Sequence, residues 1–359
     1  MLFVFSFVTS LLLVVLIVPW IVIYALKKQF FEASGERIKI HGGKIPHFGG
    51  VAIYIAVLFP ILITAAGTTE TFWLFLASLL IFGLGLIDDV KGISASSKFV
   101  FQFVAAYFVV VNGGVQILHI HRVLQFEGLT QLLGIIVSLL FVVGLVNAFN
   151  LIDGIDGLAG SVALLICNVY AYLFYKAGST SMSYLSCSAV GALVAFLFFN
   201  VFSSRKIFMG DCGSLTIGLL IAFLSLKLLG IPQRNLAVGF FRLDSKVGLL
   251  AALLCIPLFD TTRVFLLRIM GRRSPFRADN NHIHHRLLSI GLSHLQATSI
   301  LFSLNLGIAA FSMHQQALGN TKLIMIVIVV MICLNSLLTI RVNKTKKKHK
   351  SCVDFAAVC

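Results

Sequence analysis

The side chains most able to do chemistry in this sequence are acids and amides gathered in three glycine-flanked motifs. The motifs are GLIDDVKG at 85–92, NAFNLIDGIDGLAG at 147–160 and FMGDCGS at 208–214. Charged residues make up only 11% of the chain, and Asp and Glu together number 13. The motifs hold the following acids and amides: Asp88, Asp89, Asn147, Asn150, Asp153, Asp156 and Asp211.

Carboxylates at the ends of apolar segments predict a shared polar site. Ionisable groups beside hydrocarbon are costly and usually functional. Each motif alone also has a simpler interpretation, in which Asp88 and Asp89 are solvated and Asp153 or Asp211 caps a helix. Because all three motifs are expected on one side of the membrane, the shared site is the favoured interpretation.

The adjacent acids Asp88 and Asp89 need a counter-charge if both are ionised in a half-buried cleft. A bound divalent cation supplies one, and the absence of clustered thiolates favours Mg²⁺, or else Mn²⁺, over zinc. Since Mg²⁺ usually takes one or two carboxylates together with substrate phosphates, a metal here indicates a phosphorylated substrate. The helix that begins after Gly210 and Gly213 has N-terminal amides that favour a phosphate.

The spacing of the second motif predicts a break in the backbone. Asn147, Asn150, Asp153 and Asp156 recur every three residues. On a regular α-helix each such step drifts by about 60°, so the four side chains do not share one face. They converge only if the chain bends, which the intervening glycines permit.

A second polar cluster lies in GRRSPFRADNNHIHHRLL at 271–288. Zinc is disfavoured because the H-E-x-x-H spacing is absent and no cysteine is near. A solvated basic loop is possible, but the favoured function is anion recognition by histidine and arginine donors. The candidate donors are His282, His284, His285 and Arg286. Asp260 and Arg263, three residues apart, form an intrahelical pair or line the same site.

The elements that must position these residues are membrane-spanning helices. The chain is 59% hydrophobic with a mean hydropathy of +1.01. This predicts an all-α, polytopic helical bundle of about eleven spans, the first of them a retained anchor. The predicted spans are 2–26, 48–66, 71–88, 98–118, 130–149, 157–176, 183–202, 213–230, 247–268, 297–316 and 321–340. We expect one transmembrane domain over 1–341 and a basic tail over 342–359.

The formal charge of +15 is explained by topology, so no nucleic-acid partner is expected. Basic residues gather at 27–47, at 269–296 and in the tail, which share one side if the chain has eleven spans. That side is then cytoplasmic, with the N-terminus outside and the C-terminus inside. The basic connection 231–246 is the exception to this pattern. The seven cysteines show no C-x-x-C spacing and predict neither a disulfide framework nor a metal site.

Six motifs in this order resemble the polyprenyl-phosphate N-acetylhexosamine-1-phosphate transferases, a glycosyltransferase family 4 type, over nearly the whole chain. The resemblance implies transfer of a sugar 1-phosphate from a UDP-sugar to a polyprenyl phosphate, with release of UMP. It also implies Mg²⁺ dependence at the cytoplasmic face of the bacterial inner membrane. The motifs are IPHFGG (45–50), GLIDDVKG (85–92), NAFNLIDGIDGLAG (147–160), FFN (198–200), IFMGDCGS (207–214) and NNHIHHRLL (280–288).

The resemblance also implies roles for single residues. Asp211, with Asp88, is expected to hold the metal, and one of Asp88 and Asp89 to position or deprotonate the lipid phosphate. Asn150, Asp153 and Asp156 resemble nucleotide and active-site residues.

Three further sets of residues resemble substrate-binding positions of the family. Asn200 and Phe208 match positions that hold and stack the uracil. The three histidines match a motif that contacts the diphosphate. The first cytoplasmic loop of the family supplies a substrate-binding lysine, for which Lys39 and Lys44 are the candidates.

The histidine motif bears on the sugar. H-I-H-H-R-L resembles enzymes that load N-acetylglucosamine-1-phosphate from UDP-GlcNAc onto undecaprenyl phosphate, the first membrane step of O-antigen, enterobacterial common antigen or teichoic-acid linkage synthesis. Another UDP-HexNAc or UDP-MurNAc-pentapeptide is the alternative. A cation-coupled transporter or a non-catalytic scaffold is more remote, because the acids lie at span ends rather than near mid-span. A homodimer and a covalent aspartyl intermediate both remain open.

Overall fold

The computed structural model describes residues 2–28, 45–64, 68–117, 131–238, 241–272 and 281–356. Within these ranges the chain is an all-α bundle of apolar helices. One antiparallel hairpin of two-residue strands, β1 (Ala237–Val238) and β2 (Phe241–Arg242), interrupts the helices. The all-α polytopic membrane fold that composition predicted is confirmed.

Thirteen α-helices are assigned in the described ranges, and turns of π-helix extend two of them. The π turns are Phe108–Asn112, after α4, and Phe198–Phe202, after α7. The helices are α1 (Leu2–Lys28), α2 (Gly49–Thr64), α3 (Thr69–Lys91), α4 (Ala95–Tyr107), α5 (Gln131–Ile152), α6 (Leu158–Lys176), α7 (Thr180–Leu197), α8 (Gly210–Gly230), α9 (Lys246–Leu253), α10 (Cys255–Met270), α11 (Ile283–Ser289), α12 (His294–His314) and α13 (Asn320–Ala356).

Each of the eleven predicted spans contains a helix, but two of them are not simple spans. Among the described residues, nine helices are long and apolar enough to cross a bilayer. The predicted span 247–268 is broken into α9 and α10, which meet at an angle of 71°. The predicted span 48–66 is α2, which has only 16 residues. Hydropathy detects apolar length but not a bend or a short helix within it.

Helix α8 forms the centre of the bundle, with buried residues from Gly210 to Leu228. It packs against α2, α3, α5 and α6. Glycines allow the closest of these approaches: a Cβ on Gly50 would lie 2.2 Å from the backbone nitrogen of Gly213, and one on Gly85 would lie 2.3 Å from the Cα of Cys212. The first turn of α8 is therefore held against the start of α2 and the last turns of α3.

The break between α9 and α10 is satisfied by a buried amide from another helix. Within a bilayer, a carbonyl freed from its helical partner must find another donor. Asn305 of α12 is fully buried and donates its Nδ2 to the carbonyl oxygens of Ala252 (3.0 Å) and Leu253 (3.2 Å). This contact stabilises the bend, and the bend sets the direction in which α10 carries Asp260.

Candidate active site

The carboxylate of Asp89 caps the first turn of α8. Its Oδ1 accepts from the backbone N–H of Asp211 (2.7 Å) and its Oδ2 from that of Cys212 (3.0 Å). Helix N-termini carry unpaired N–H groups and attract anions. The preceding Gly210 has φ of +72°, and a Cβ there would lie 2.1 Å from the carbonyl oxygen of His47. Position 210 therefore requires a glycine. The hydrogen bonds of Asp89 join the end of α3 to the start of α8, where Asp211 lies.

The segment IPHFGG completes the same corner through its backbone. The N–H of Phe208 donates to the carbonyl of Pro46 (2.9 Å), and the N–H groups of Gly49 and Gly50 donate to the carbonyls of Phe208 and Met209. The ring of His47 lies 5.0 Å from that of Phe208. The motif at 45–50 thus positions the approach to α8, and the half-buried Phe208 ring is held beside it.

Lys98 of α4 supplies the counter-charge of the acidic cluster. Its ammonium contacts the carboxylates of both Asp88 and Asp211, with a distance of 2.7 Å to Asp211 Oδ2. Asp88 also accepts from the backbone N–H of Ile93 at 2.6 Å. Two carboxylates from different helices therefore face one cation.

Asn150 connects the second motif to this cluster. Its Nδ2 donates to Asp211 Oδ1 and to the hydroxyl of Ser214, both at 3.0 Å. Asn147, one turn earlier on α5, pairs instead with the buried amide of Gln102 on α4, with a short contact of 2.6 Å. Asn150 therefore lies in the site, whereas Asn147 joins α4 to α5. The substrate-binding role predicted for Asn147 stays a prediction, and its contacts do not support it.

The predicted break in the second motif is present as a non-helical turn over residues 153–157. Gly157 ends it with φ of +78°, and its N–H donates to Oδ1 of Asn200 at 2.7 Å. Asn200 is buried and donates its Nδ2 to the carbonyl of Ile207 at 2.9 Å. Both polar atoms of the Asn200 amide are therefore hydrogen-bonded to the backbone, and they connect the turn at 153–157 to the segment before α8.

Asp156 lies in the same turn and faces two basic side chains. Its Oδ2 is 3.0 Å from the ammonium of Lys206 and 3.5 Å from Nδ1 of His294. Burial raises the pKa of Asp156, but the hydrogen bonds from His294 and Lys206 and their charges outweigh it and hold that pKa below its usual value. Thr298 donates its hydroxyl to the backbone carbonyl of Asp156 at 2.8 Å. The N-terminal part of α12 is therefore bound to the turn at 153–157. The half-buried Asp153 lies in the same turn.

The histidine motif forms the end of the connection before α11 and its first turn. The ring of His284 lies against the turn at 153–157, because a Cβ on Gly154 would come within 2.2 Å of its Nε2. The rings of His282 and His284 stack with centroids 5.7 Å apart, and that of His285 lies 4.3 Å from His284. The motif therefore reaches the same end of the bundle as the acidic cluster, as predicted from the sequence.

Arg286 and Arg263 face away from open solvent. Arg286 donates to the side chains of Asn335 (2.6 Å) and Thr339 (2.5 Å), so its guanidinium ties α11 to α13. Arg263 pairs with Asp260 at 3.1 Å and also donates to the carbonyl of Asn281. These contacts give both arginines a structural role, and their predicted substrate contacts have no support in this geometry. Lys39 and Lys44 lie outside the described residues.

The donor set suits Mg²⁺ with substrate phosphates. Asp88 and Asp211 converge on one position, now taken by an ammonium, and Asn150 adds an amide beside Asp211. In the described part of the chain, no three or more His, Cys, Asp and Glu side chains are grouped so that they could hold a metal ion. Oxygen donors in this small number fit the preference of Mg²⁺ and not that of zinc.

Sequence reasoning missed Lys98, Lys206 and His294. A signal for Lys98 was present, since Lys98 and Gln102 stand four residues apart at the start of an otherwise apolar span. Such a pair shares one helix face, and a charge within a span is usually functional. No comparable signal marked Lys206 and His294, which stand 50 and 138 residues beyond Asp156 and meet it only in the folded chain.

Comparison with known proteins identifies the family of the chain. Residues 71–229 match the family model for glycosyl transferase family 4. A probable undecaprenyl-phosphate N-acetylglucosaminyl 1-phosphate transferase of Bacillus subtilis is 32% identical over 298 residues, covering 83% of this chain and 80% of that protein. A decaprenyl-phosphate N-acetylglucosaminephosphotransferase of Mycolicibacterium smegmatis is 34% identical over 314 residues, covering 81% and 76%.

A third relative has a different sugar in its name. A phospho-N-acetylmuramoyl-pentapeptide-transferase of Clostridium botulinum is 31% identical over 290 residues, covering 76% of this chain and 82% of that protein. Enzymes with different named sugars thus match most of the chain. This chain belongs to glycosyl transferase family 4, among the polyprenyl-phosphate N-acetylhexosamine-1-phosphate transferases.

Proposed function

We propose that this protein transfers N-acetylglucosamine-1-phosphate from UDP-GlcNAc to undecaprenyl phosphate, giving UMP and undecaprenyl-diphospho-GlcNAc. The relative from Bacillus subtilis is named for this sugar and lipid. The observation that carries the proposal is the meeting of Lys98, Asp88 and Asp211 at the N-terminus of α8. This arrangement suits phosphoryl transfer between two anionic substrates at the edge of a membrane.

The transfer joins two anions, so its barrier depends on charge. An oxygen of the lipid phosphate attacks the β-phosphorus of UDP-GlcNAc, and the bond between that phosphorus and the bridging oxygen breaks to release UMP. Catalysis of such a step is mostly positioning and electrostatic stabilisation. Lys98 is placed to offset the charge of the phosphates, and Asp89 keeps the first turn of α8 in position to present its remaining N–H groups.

We infer that the reaction uses Mg²⁺, with Mn²⁺ as the alternative. Asp211 and Asp88 would hold the ion, and the amide oxygen of Asn150 is near enough to join them after a rotation of the amide. When bound, the cation would neutralise the diphosphate and stabilise the leaving UMP. Lys98 then has a second role, since its ammonium keeps the two carboxylates together before the ion and substrates arrive.

The site would face the cytoplasm of a bacterial inner membrane. The three basic regions at 27–47, 269–296 and 342–359 support this orientation through the positive-inside rule. UDP-sugars would then approach from water, while the lipid phosphate arrives along the membrane. The basic tail adds affinity for anionic headgroups on the same side.

A panel of UDP-sugars tests the choice of donor. UDP-MurNAc-pentapeptide is the second candidate donor, because a relative named for the pentapeptide transfer matches 76% of this chain. Decaprenyl phosphate is the second candidate acceptor, because the relative from Mycolicibacterium smegmatis is named for that lipid.

The test measures UMP release by the purified protein in detergent. Undecaprenyl and decaprenyl phosphate are each paired with UDP-GlcNAc, UDP-GalNAc and UDP-MurNAc-pentapeptide, with and without EDTA. We expect turnover with UDP-GlcNAc that EDTA abolishes and that Asp211→Asn abolishes in a folded protein. Asp244→Asn is the matched control, since Asp244 pairs with Arg242 in the hairpin beyond α8 and is remote from the acidic cluster. Turnover with another UDP-sugar alone would overturn the sugar assignment, and full activity of Asp211→Asn would overturn the metal assignment.

A further inference from the structure

Asp260 of α10 is a buried carboxylate that holds the histidine segment in place. Its side chain is 2% exposed. Oδ2 lies 2.9 Å from Nδ1 of His282, and Oδ1 accepts from the backbone N–H of Ile283 (3.0 Å) and from Arg263 (3.1 Å). Both carboxylate oxygens therefore accept hydrogen bonds, one from the ring of His282 and the other from Ile283 at the start of α11 and from Arg263.

The neighbouring contacts fix the position of this segment from a second side. Arg263 also donates to the carbonyl of Asn281, so residues 281–283 are bound to α10 by backbone and side chain together. A buried carboxylate is costly unless it is paired and hydrogen-bonded. Among the described residues, the hydrogen-bond partners of Asp260 are Arg263, His282 and Ile283, so the positions of α10 and the histidine segment depend on each other.

The contact with Asp260 determines which nitrogen of His282 carries a proton. A carboxylate accepts and does not donate, so the Nδ1 that faces it must be protonated whether the ring is neutral or cationic. Nε2 is then the ring nitrogen of His282 that can contact a group other than Asp260. The ring of His282 stacks on that of His284 at an interplanar angle of 10°, and His284 lies against Gly154 of the second motif. A substitution of Asp260 is therefore expected to alter the site by shifting the stacked rings of His282 and His284.

We propose that Asp260 is a positioning residue for the transfer reaction, which acts by holding the Nδ1 proton of His282 and the orientation of the stacked histidine pair. The proposal rests on the proposed function, because it assigns Asp260 to the substrate-facing histidines of that reaction. Asp260 is buried and contacts His282, so we expect it to act through that ring and not on the substrate directly. Among the described residues, the charged or titratable groups near the pair include Arg263, Arg286 and the stacked ring of His284. The two arginines are donors that cannot take the proton from His282.

The first test needs no variant of Asp260. In wild-type protein with ¹⁵N-labelled histidine, the nitrogen resonances of His282 are assigned by comparison with His282→Gln. We expect a protonated Nδ1 from pH 6 to 8. An unprotonated Nδ1 in that range would overturn the proposal, even if the protein proved to have another catalytic activity or none.

The second test measures steady-state UMP release by Asp260→Asn, His282→Gln and the double variant. Thr262→Ala is the control, since Thr262 is an exposed neighbour on the same helix. We expect kcat of Asp260→Asn to fall by roughly 10- to 100-fold, the range typical of groups that orient a functional histidine. KM for UDP-GlcNAc should change by less than about threefold, and the double variant should be no slower than His282→Gln, since the two residues act as one unit.

Two results would contradict the proposal. One is a wild-type kcat in Asp260→Asn. The other is an additive loss in the double variant together with a lowered melting temperature that accounts for the lost activity, because a purely structural residue behaves in this way. If wild-type protein released no UMP with any donor, the proposed function would fail, and the resonance of Nδ1 would still decide whether Asp260 holds the proton.

Discussion

Asp89→Asn distinguishes a helix-capping role from a purely catalytic one. In the structure both oxygens of Asp89 accept backbone N–H groups of α8, at 2.7 and 3.0 Å. Asparagine has one acceptor oxygen, so one of these N–H groups would instead face the –NH₂ of the amide. The neighbouring acid gives a matched comparison, because Asp88 holds Lys98 by charge and only the N–H of Ile93 by a backbone hydrogen bond.

The expected cost follows from these contacts. A hydrogen bond to a charged group contributes about 1.5–3 kcal/mol, and an unsatisfied donor costs a similar amount. Loss of the anion from a helix N-terminus adds roughly 0.3–1 kcal/mol. With a discount for the half-buried position, Asp89→Asn should lower the free energy of unfolding by about 2–4 kcal/mol. Asp88→Asn should lower it less, by about 1 kcal/mol, since Lys98 keeps Asp211 as a partner and the oxygen facing Ile93 can remain.

The assay is unfolding of both variants in mixed micelles, read by tryptophan fluorescence, together with UMP release. Both variants should lose activity, but only Asp89→Asn should also unfold at clearly lower denaturant. Equal stabilities of the two variants would refute the capping role, and Asp89 would then be left with the catalytic role that the sequence predicted.

Three further predictions follow from single contacts. Lys98→Met should lower kcat by on the order of 100-fold, as expected for loss of one electrostatic contact in a transition state. Lys91 is exposed, so Lys91→Met should leave kcat unchanged. A wild-type kcat in Lys98→Met would argue against the site. The depressed pKa of Asp156 means that its pairing stabilises the fold above its unfolded pKa of 3.8 and is lost as pH falls through the lower folded value. Lys206→Met should therefore unfold more easily than wild type at pH 7 with a difference that fades below about pH 4, and a difference independent of pH would contradict this pairing. Asn305→Leu should lower stability by about 2–5 kcal/mol, because two buried carbonyls at the helix break lose their donor, and unchanged thermal unfolding would show that the break is satisfied in another way.

The location of the candidate site was readable from the sequence because its evidence is local. Asp211 stands between two glycines at the start of an apolar segment, and the second motif carries glycines where its backbone must turn. These patterns predict a helix terminus and a break without reference to the rest of the chain. The structure has both features, at Gly210 and over residues 153–157.

The partners of these residues were not readable in the same way. Asn200, expected beside the uracil, is occupied by the backbone of Gly157 and Ile207. Arg286, expected on the substrate, donates to Asn335 and Thr339 on the last helix. Side-chain type specifies how many hydrogen bonds a group can make, whereas packing decides which groups come within reach.

The sequence by itself determined the membrane-spanning class, the acidic and histidine motifs, and the resemblance to the family to which the chain belongs. Apolar length and short motifs are properties of neighbouring residues, so they survive without a three-dimensional arrangement. Only the tertiary structure placed Lys98 between Asp88 and Asp211, bound Asp260 to His282 and bent the chain between α9 and α10. The ammonium of Lys98 reaches a carboxylate 113 positions away, and such a contact exists only because the packed helices bring both groups to one end of α8.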